Sequence, residues 1–306
     1  MVMAANIAGI ANGYILVASG VTDHVGPITT ALIGMACGTP VMWYFFRPAL
    51  RSKWSAWRPS LLLGIALGVN HVTFQYGLRW VQVQLLQPLS FLFTVLFTVG
   101  PDIVRDARNG RYSIALWPVV GLLGIWALST DTADGTGGAA FTDAVPHLHL
   151  LGWPVPAWVP ALGVMVITAA TSAYGNWRLE EARDLAGKYN TLAGLPAIAV
   201  LVAGVWLLED GWAGVVGAPW PYLLVSAVCG MFFALLSGVV TAKAYGEGLR
   251  KSTTAMLQPL RHLLGTLLGM AVARTAPGPL GLAAILLITV ASLGAAVVQG
   301  RNSGSG

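Results

Sequence analysis

The stretch GLRWVQVQLLQPL at positions 77–89 recurs as GLRKSTTAMLQPL at positions 248–260. The two copies share seven identical residues at one fixed offset of 171 positions. This many matches at a single spacing indicate an internal repeat, which decides the architecture before any shorter motif is considered. Each copy lies where a third predicted helix ends and a fourth begins. The sequence therefore predicts two halves with the same order of helices.

The chain around these copies is strongly apolar. Of its 306 residues, 56% are hydrophobic and 9% are charged, whereas an average soluble domain carries about 25% charged residues. So few charges cannot cover the surface of a water-soluble protein of this size. The composition therefore predicts a polytopic membrane protein. Because the basic residues behind the net charge of +5 cluster in short loops between apolar runs, we expect no nucleic-acid partner.

Ten apolar segments are long enough to span a bilayer, whose core of about 30 Å takes about 20 helical residues to cross. The segments are residues 3–20, 26–46, 59–78, 82–101, 112–129, 158–178, 187–208, 221–245, 251–273 and 278–299. The long break between the fifth and the sixth contains Gly135-Thr136-Gly137-Gly138 and three prolines. We predict a first five-helix repeat (1–129), an extracytoplasmic linker loop (130–157), a second repeat (158–300) and a disordered tail (301–306).

The basic residues predict the orientation of the bundle. With the N-terminus inside, 14 of the 17 Lys and Arg residues fall in cytoplasmic segments, and only Arg79 and Arg274 fall outside. This bias predicts that both termini are cytoplasmic, and we expect a multi-pass protein of the plasma (inner) membrane. Each half has an odd number of spans, so Arg79 and Arg250 lie on opposite sides. The repeat is therefore predicted to be inverted, as in many secondary transporters.

A ten-helix chain of two inverted five-helix halves, with Pro88 and Pro259 opening the fourth and ninth helices, resembles a known family. It is similar to the EamA-like branch of the drug/metabolite transporter superfamily over residues 3–299. In the first helix, Asn12-Gly13-Tyr14 stands where many members have a Trp-Gly pair. The resemblance implies a metabolite exporter with a central cavity, walled mainly by the first, third, fourth, sixth, eighth and ninth helices.

The two repeated prolines are candidate hinges. Pro88 and Pro259 each lack an N–H group and leave the carbonyl four residues earlier without its helical partner. A freed carbonyl inside a bilayer must face protein or a wet cavity. We expect paired hinges at two gates, one in each leaflet. The alternative is a static kink at each proline, in which Gln87 and Gln258 bond to the freed backbone.

Arg261 is the cation predicted to lie inside a span. It follows Lys251 by ten positions, which places it about 15 Å deep at 1.5 Å per residue. A charge at this depth costs a few kcal/mol and usually marks a ligand or ion path. All twelve acidic residues fall in loops or at helix ends, and a guanidinium suits bidentate recognition of a carboxylate. We expect Arg261 to bind an anionic group of the solute; a structural tie to carbonyls and water is the alternative.

Other polar and aromatic residues complete the candidate binding site. They come from the first, third, fourth, sixth and ninth predicted helices: Tyr14, Asn70, His71, Gln75, Gln87, Ser90, Tyr174, Gln258 and His262. His71 and His262 are the mid-span groups that titrate near neutral pH, so they are candidate proton carriers. Simple hydrogen-bonded histidines are the alternative. Cys37 and Cys229 lie in apolar runs and no ligand spacing is visible, so we expect no metal and no cofactor.

These features predict a secondary transporter, not an enzyme. We expect export of a small metabolite, an amino acid or a related carboxylate-bearing compound, by alternating access; facilitator and proton-antiporter mechanisms both stay open. One alternative is an exporter of drugs, cations or neutral solutes, although no intramembrane glutamate is present for cations. Another is a membrane-embedded lipid-handling enzyme, although no nucleophile–base pair is visible. Four-apart glycines such as Gly34/Gly38 indicate close packing within the chain or a homodimer seam.

Overall fold

The computed structural model describes residues 11–47, 54–81, 145–150, 152–247 and 278–303, together with isolated positions between 86 and 127. Four helical stretches in these ranges are long and apolar enough to cross a membrane. They are Pro27–Phe46, Trp57–Trp80, Trp158–Leu208 and Trp220–Gly246. The described chain is thus that of an α-helical membrane protein, as predicted. The number of ten spans and the inverted repeat stay predictions.

The long described helices coincide with predicted segments, and two short helices lie between them. They are α1 (11–18), α2 (Val21–His24), α3 (Pro27–Phe46), α4 (Trp54–Trp80), α5 (Trp158–Ala182), α6 (Ala186–Leu208), α7 (Trp212–Gly217), α8 (Trp220–Phe233), α9 (Val240–Gly246) and α10 (Pro279–Ser303). A 3₁₀ turn, Arg183–Leu185, joins α5 to α6, and a π-helical turn, Ala234–Val239, joins α8 to α9. The last helix includes the first three residues of the segment predicted as a tail, since Gly300 weakens a helix by only about 1 kcal/mol and no proline follows it.

The chain divides into two compact units. The first unit comprises Met1–Arg79 and Tyr174–Leu249, and the second comprises Trp80–Ala173 and Arg250–Gly306. Each unit therefore combines a piece of both predicted halves. The cavity described below is lined by residues of the first unit, and a short β-hairpin belongs to the second.

Helix α3 packs inside the first unit against both α6 and α8. Towards α6, Ile28 and Leu201 are fully buried in one apolar cluster. Towards α8, the backbones approach so closely that a Cβ atom on Gly230 would overlap the backbone of Gly34. Small residues permit this approach. The glycine pair Gly34/Gly38 thus packs within the chain.

A carboxylate from the end of α6 holds the start of α3. Glu209 Oε1 accepts a hydrogen bond from the Ile28 amide at 2.7 Å, and Oε2 accepts from the Thr29 amide at 3.2 Å and the Thr29 hydroxyl at 2.7 Å. Amide groups in a first helical turn lack intrahelical partners, and the helix dipole favours a negative charge there. Gly26 leaves room for this contact, because a Cβ atom there would overlap the carboxylate. Glu209 therefore ties α3 to α6.

The predicted linker contains a β-hairpin, which the all-α prediction missed. Strand β1 (Leu148–Leu150) pairs antiparallel with β2 (Trp153–Val155). Two residues connect the strands, and the second of them, Gly152, has φ 85°. Glycine adopts this backbone conformation without the steric cost of a Cβ atom, and it is typical of two-residue hairpin turns. The turn signal was present in the sequence but lay in a segment interpreted as irregular.

Candidate functional site

A cavity of about 210 Å³ lies within the first unit. Its walls come from α1, α3, α4 and α6, from the end of α5, and from the rod formed by α8, the π turn and α9. A cavity needs only about 10–15 Å³ to hold one water molecule, so this one has room for a small organic molecule. Its polar lining residues are Asn12, Thr30, Thr39, His71, Gln75, Asn190, Thr191, Ser226, Ser237 and Thr241.

His71 and Gln75 are the predicted site residues that line this cavity. They lie one turn apart on α4, a spacing that places both side chains on the same helix face. The His71 ring meets the edge of Phe233, with centroids 6.3 Å apart and planes at 86°. Gln75 is 5% exposed. Within the described ranges the structure gives neither side chain a hydrogen-bond partner, so both are available to a bound molecule.

Two amide side chains in the lining were missed by the sequence analysis as binding residues. Asn12 lies on α1, and its buried Oδ1 has no hydrogen-bond partner in the described part of the chain. Asn190 lies on α6. An amide offers both donors and acceptors to a ligand. The available signal was a polar residue inside an apolar segment, near the middle for Asn12 and near the start for Asn190.

Hydroxyl groups in the lining are largely used within their own helices. Thr39 donates to the Met35 carbonyl at 2.8 Å, and Thr191 donates to the Gly187 carbonyl at 2.6 Å. Such bonds to the carbonyl four residues earlier are the usual way for a helix to satisfy a threonine. Each hydroxyl oxygen still has a lone pair that can accept a hydrogen bond. These positions can therefore accept a hydrogen bond from a ligand.

The π-helical turn forms part of the cavity wall. It contributes Ala234, Ser237 and Gly238 to the lining. At Gly238 the wall is tight, because a Cβ atom there would lie 2.8 Å from Met42 Sδ. Single π turns inside α-helices occur frequently at functional sites. Here the turn interrupts the regular register of α8 beside the cavity.

The cavity is uncharged as far as the structure describes it. Its lining residues include no Asp, Glu, Lys or Arg. Among the described residues, no group of three or more His, Cys, Asp or Glu side chains could hold a metal ion. Recognition in this cavity therefore rests on amides, an imidazole, hydroxyls and apolar contacts.

The other predicted site residues are dispersed or lie outside the described ranges. Asn70 adjoins His71 on α4 but does not line the cavity, and its carbonyl accepts from the Thr73 hydroxyl at 3.1 Å. Tyr14 is 4% exposed, and Ser90 belongs to the second unit. Tyr174 lies near the end of α5, where its hydroxyl accepts from Arg178 Nε at 3.1 Å. The predicted residues outside the described ranges are Gln87, Pro88, Gln258, Pro259, Arg261 and His262.

Comparisons with known proteins show the fold alone. No family model matches the sequence, and no curated protein matches it. Sixteen chains of solved structures match. One is a crystal structure described only as that of a protein; it has a TM-score of 0.56 and 16% sequence identity, over 97% of this chain and 96% of the other. At 16% identity, this similarity shows a shared fold over nearly the whole length of the chain and gives no information about function.

Proposed function

We propose that this chain is a membrane transporter for a small polar metabolite, which binds in the cavity of the first unit. The observation that carries the proposal is a cavity with ten polar lining residues, bounded mainly by helices that are long and apolar enough to span a membrane. Polar side chains inside a membrane protein are costly and are retained where they line a solute path or a water-filled cavity. No catalytic group is part of the proposal.

The proposal includes the family and the direction of transport. The repeat at 77–89 and 248–260, together with the bias of basic residues, supports a transporter of two inverted halves working by alternating access. Export follows from the resemblance to the EamA-like branch. The location included in the proposal is the plasma (inner) membrane. Pro88 and Pro259 would serve as the hinges between the inward-open and outward-open states.

Two solute classes follow from two different observations. Arg261, predicted to lie at mid-span, favours an amino acid or a related carboxylate. The uncharged lining of the described cavity favours the alternative, a neutral solute held by hydrogen bonds. Transport of both kinds of solute by the wild type and by Arg261→Gln distinguishes the two classes. Loss of carboxylate transport with neutral-solute transport retained would support the first class, and transport of neutral solutes alone by the wild type would support the second.

The cavity is tested by transport in proteoliposomes with a panel of radiolabelled metabolites. Gln75→Leu and His71→Leu each remove polar groups from the lining while keeping a bulky side chain. A lost hydrogen bond to a polar solute costs about 1–1.5 kcal/mol, so we expect uptake to fall about tenfold for either variant. Thr289→Val, which removes a hydroxyl from a buried position of α10 outside the lining, is the control.

Thermal unfolding of each variant separates a binding defect from a folding defect. The control should retain transport when corrected for the amount of folded protein. If both cavity variants transported every solute of the panel at the wild-type rate, the cavity would not be the binding site.

A further inference from the structure

The β-hairpin of the linker has one wholly apolar face. Leu148 pairs with Val155 and Leu150 pairs with Trp153, while His149 pairs with Pro154 between them. Residues opposite each other in an antiparallel pair share a face, and alternate residues of a strand point to the same side. Leucine, leucine, tryptophan and valine therefore lie on one face, and the histidine and a proline lie on the other.

This apolar face is exposed. Trp153 is 78% exposed, Leu150 is 69% exposed and Leu148 is 47% exposed. An isolated two-stranded hairpin is marginally stable at best in water, and one of only three residues per strand has little to hold it together. A cluster of exposed large apolar side chains marks an interaction surface. The hairpin thus needs an apolar partner for this face.

The position of the hairpin in the chain indicates which partner is within reach. Helix α5 begins a membrane span at Trp158, three residues after Val155. Three residues extend over about 10 Å at most, so the hairpin lies within that distance of the point where the chain enters the membrane. Tryptophan is enriched at membrane–water interfaces. Trp153 lies in the hairpin, and Trp158 lies at the start of the span.

The absence of charged residues in this segment favours the same partner. Residues 144–177 contain no Asp, Glu, Lys or Arg, so no charged group in the hairpin has to be dehydrated. Interfacial amphipathic helices bury an apolar face about 5–10 Å into the boundary between headgroups and acyl chains, and the hairpin presents an apolar face of the same kind. A hairpin with a polar edge at His149 and an apolar face at Leu150 and Trp153 fits that boundary.

We propose that the β1–β2 hairpin docks its apolar face onto the interfacial region of the lipid bilayer. Docking anchors the end of the linker at the membrane surface and fixes the point at which α5 enters the bilayer. The proposal is independent of the transported solute. A second copy of the chain and another segment of the same chain are the competing occupants.

The test places an environment-sensitive probe on either face of the hairpin in the full-length protein. Leu150→Cys and His149→Cys, each in a Cys37→Ser, Cys229→Ala background, are labelled with a nitrobenzoxadiazole maleimide. The labelled proteins are studied in nanodiscs of phosphatidylethanolamine and phosphatidylglycerol. We expect the probe at 150 to emit at shorter wavelength, to be quenched by lipids carrying a nitroxide near the headgroup, and to be shielded from iodide. The probe at 149 should show the reverse.

Two results would overturn the proposal. Equal quenching of both probes by iodide would mean that the apolar face is in water. Shielding of position 150 from iodide without quenching by the nitroxide lipid would mean that protein covers the face. A photoreactive benzoylphenylalanine in place of Leu150 or His149 gives the same comparison with the native cysteines retained. Lipid adducts at position 150 alone would support docking, whereas protein adducts there would overturn it.

Discussion

Replacement of Glu209 by alanine should free the first turn of α3 and destabilise the first unit. The carboxylate accepts three hydrogen bonds, two at 2.7 Å and one at 3.2 Å. A hydrogen bond to a charged group contributes about 1.5–3 kcal/mol when fully formed and buried. Glu209 is only half-buried, so water would replace part of what is lost, and removal of a helix cap costs about 0.5–2 kcal/mol. We expect a loss of about 2 kcal/mol.

Two further variants separate the carboxylate's charge from its position. Glu209→Gln keeps an oxygen that accepts from the Ile28 or the Thr29 amide but removes the negative charge, so we expect about half of the loss. Glu247→Ala is the matched control, since Glu247 is exposed after the end of α9. An exposed substitution of this kind should change stability by no more than about 0.5 kcal/mol.

The assays are thermal unfolding in detergent and amide hydrogen exchange. A loss of about 2 kcal/mol corresponds to a fall in Tm of about 3 °C for a chain of 306 residues. Exchange reports the cap itself, because the amides of Ile28 and Thr29 should exchange faster in Glu209→Ala while those in the middle of α6 stay protected. Unchanged exchange at Ile28 and Thr29 would refute the argument, whatever the change in Tm.

The close contacts of the first unit give two further predictions. Gly230→Ala should lower the Tm, because its new Cβ atom would overlap the Gly34 backbone and overpacking costs about 1–3 kcal/mol. The control is Gly163→Ala, where a Cβ atom meets open space, and it should be neutral or stabilising by up to about 1 kcal/mol. Equal Tm values for the two variants would contradict the close contact of Gly230 with Gly34. A membrane-permeant maleimide should label Cys37, which is partly exposed, faster than Cys229, which is 7% exposed; equal rates by mass spectrometry would show that Cys229 is not packed as described.

The helices were predictable because one physical quantity, the length of apolar chain, determines them. The predicted segments 26–46 and 187–208 differ by one residue from Pro27–Phe46 and Ala186–Leu208. The π turn at Ala234–Val239 was not predictable, since its residues are as apolar as those of the helices on either side and no proline marks it. Its register depends on packing against other helices, including the contact of Gly238 with Met42.

The candidate site was predictable in part, from polar residues that interrupt an apolar span. His71 and Gln75 are such interruptions, and both line the cavity. Asn190 lies near the start of its segment, where a polar residue is ordinary in any membrane helix. Asn12 interrupts the first segment near its middle, but it lies outside the repeated third, fourth and ninth helices from which most of the candidate residues were taken. Glu209 contacts residues about 180 positions earlier, and no local pattern encodes where the end of α6 meets the start of α3.

The boundaries between the two compact units fall at the repeated Gly-Leu-Arg. The first unit ends at Arg79 in the first half of the chain and at Leu249 in the second half. Under the offset of 171 positions, Arg79 corresponds to Arg250, so the two changes of unit agree to within one residue. A proline follows nine residues later in both copies. Because proline removes one helical hydrogen bond, the paired hinges at Pro88 and Pro259 stay a prediction that follows from the sequence.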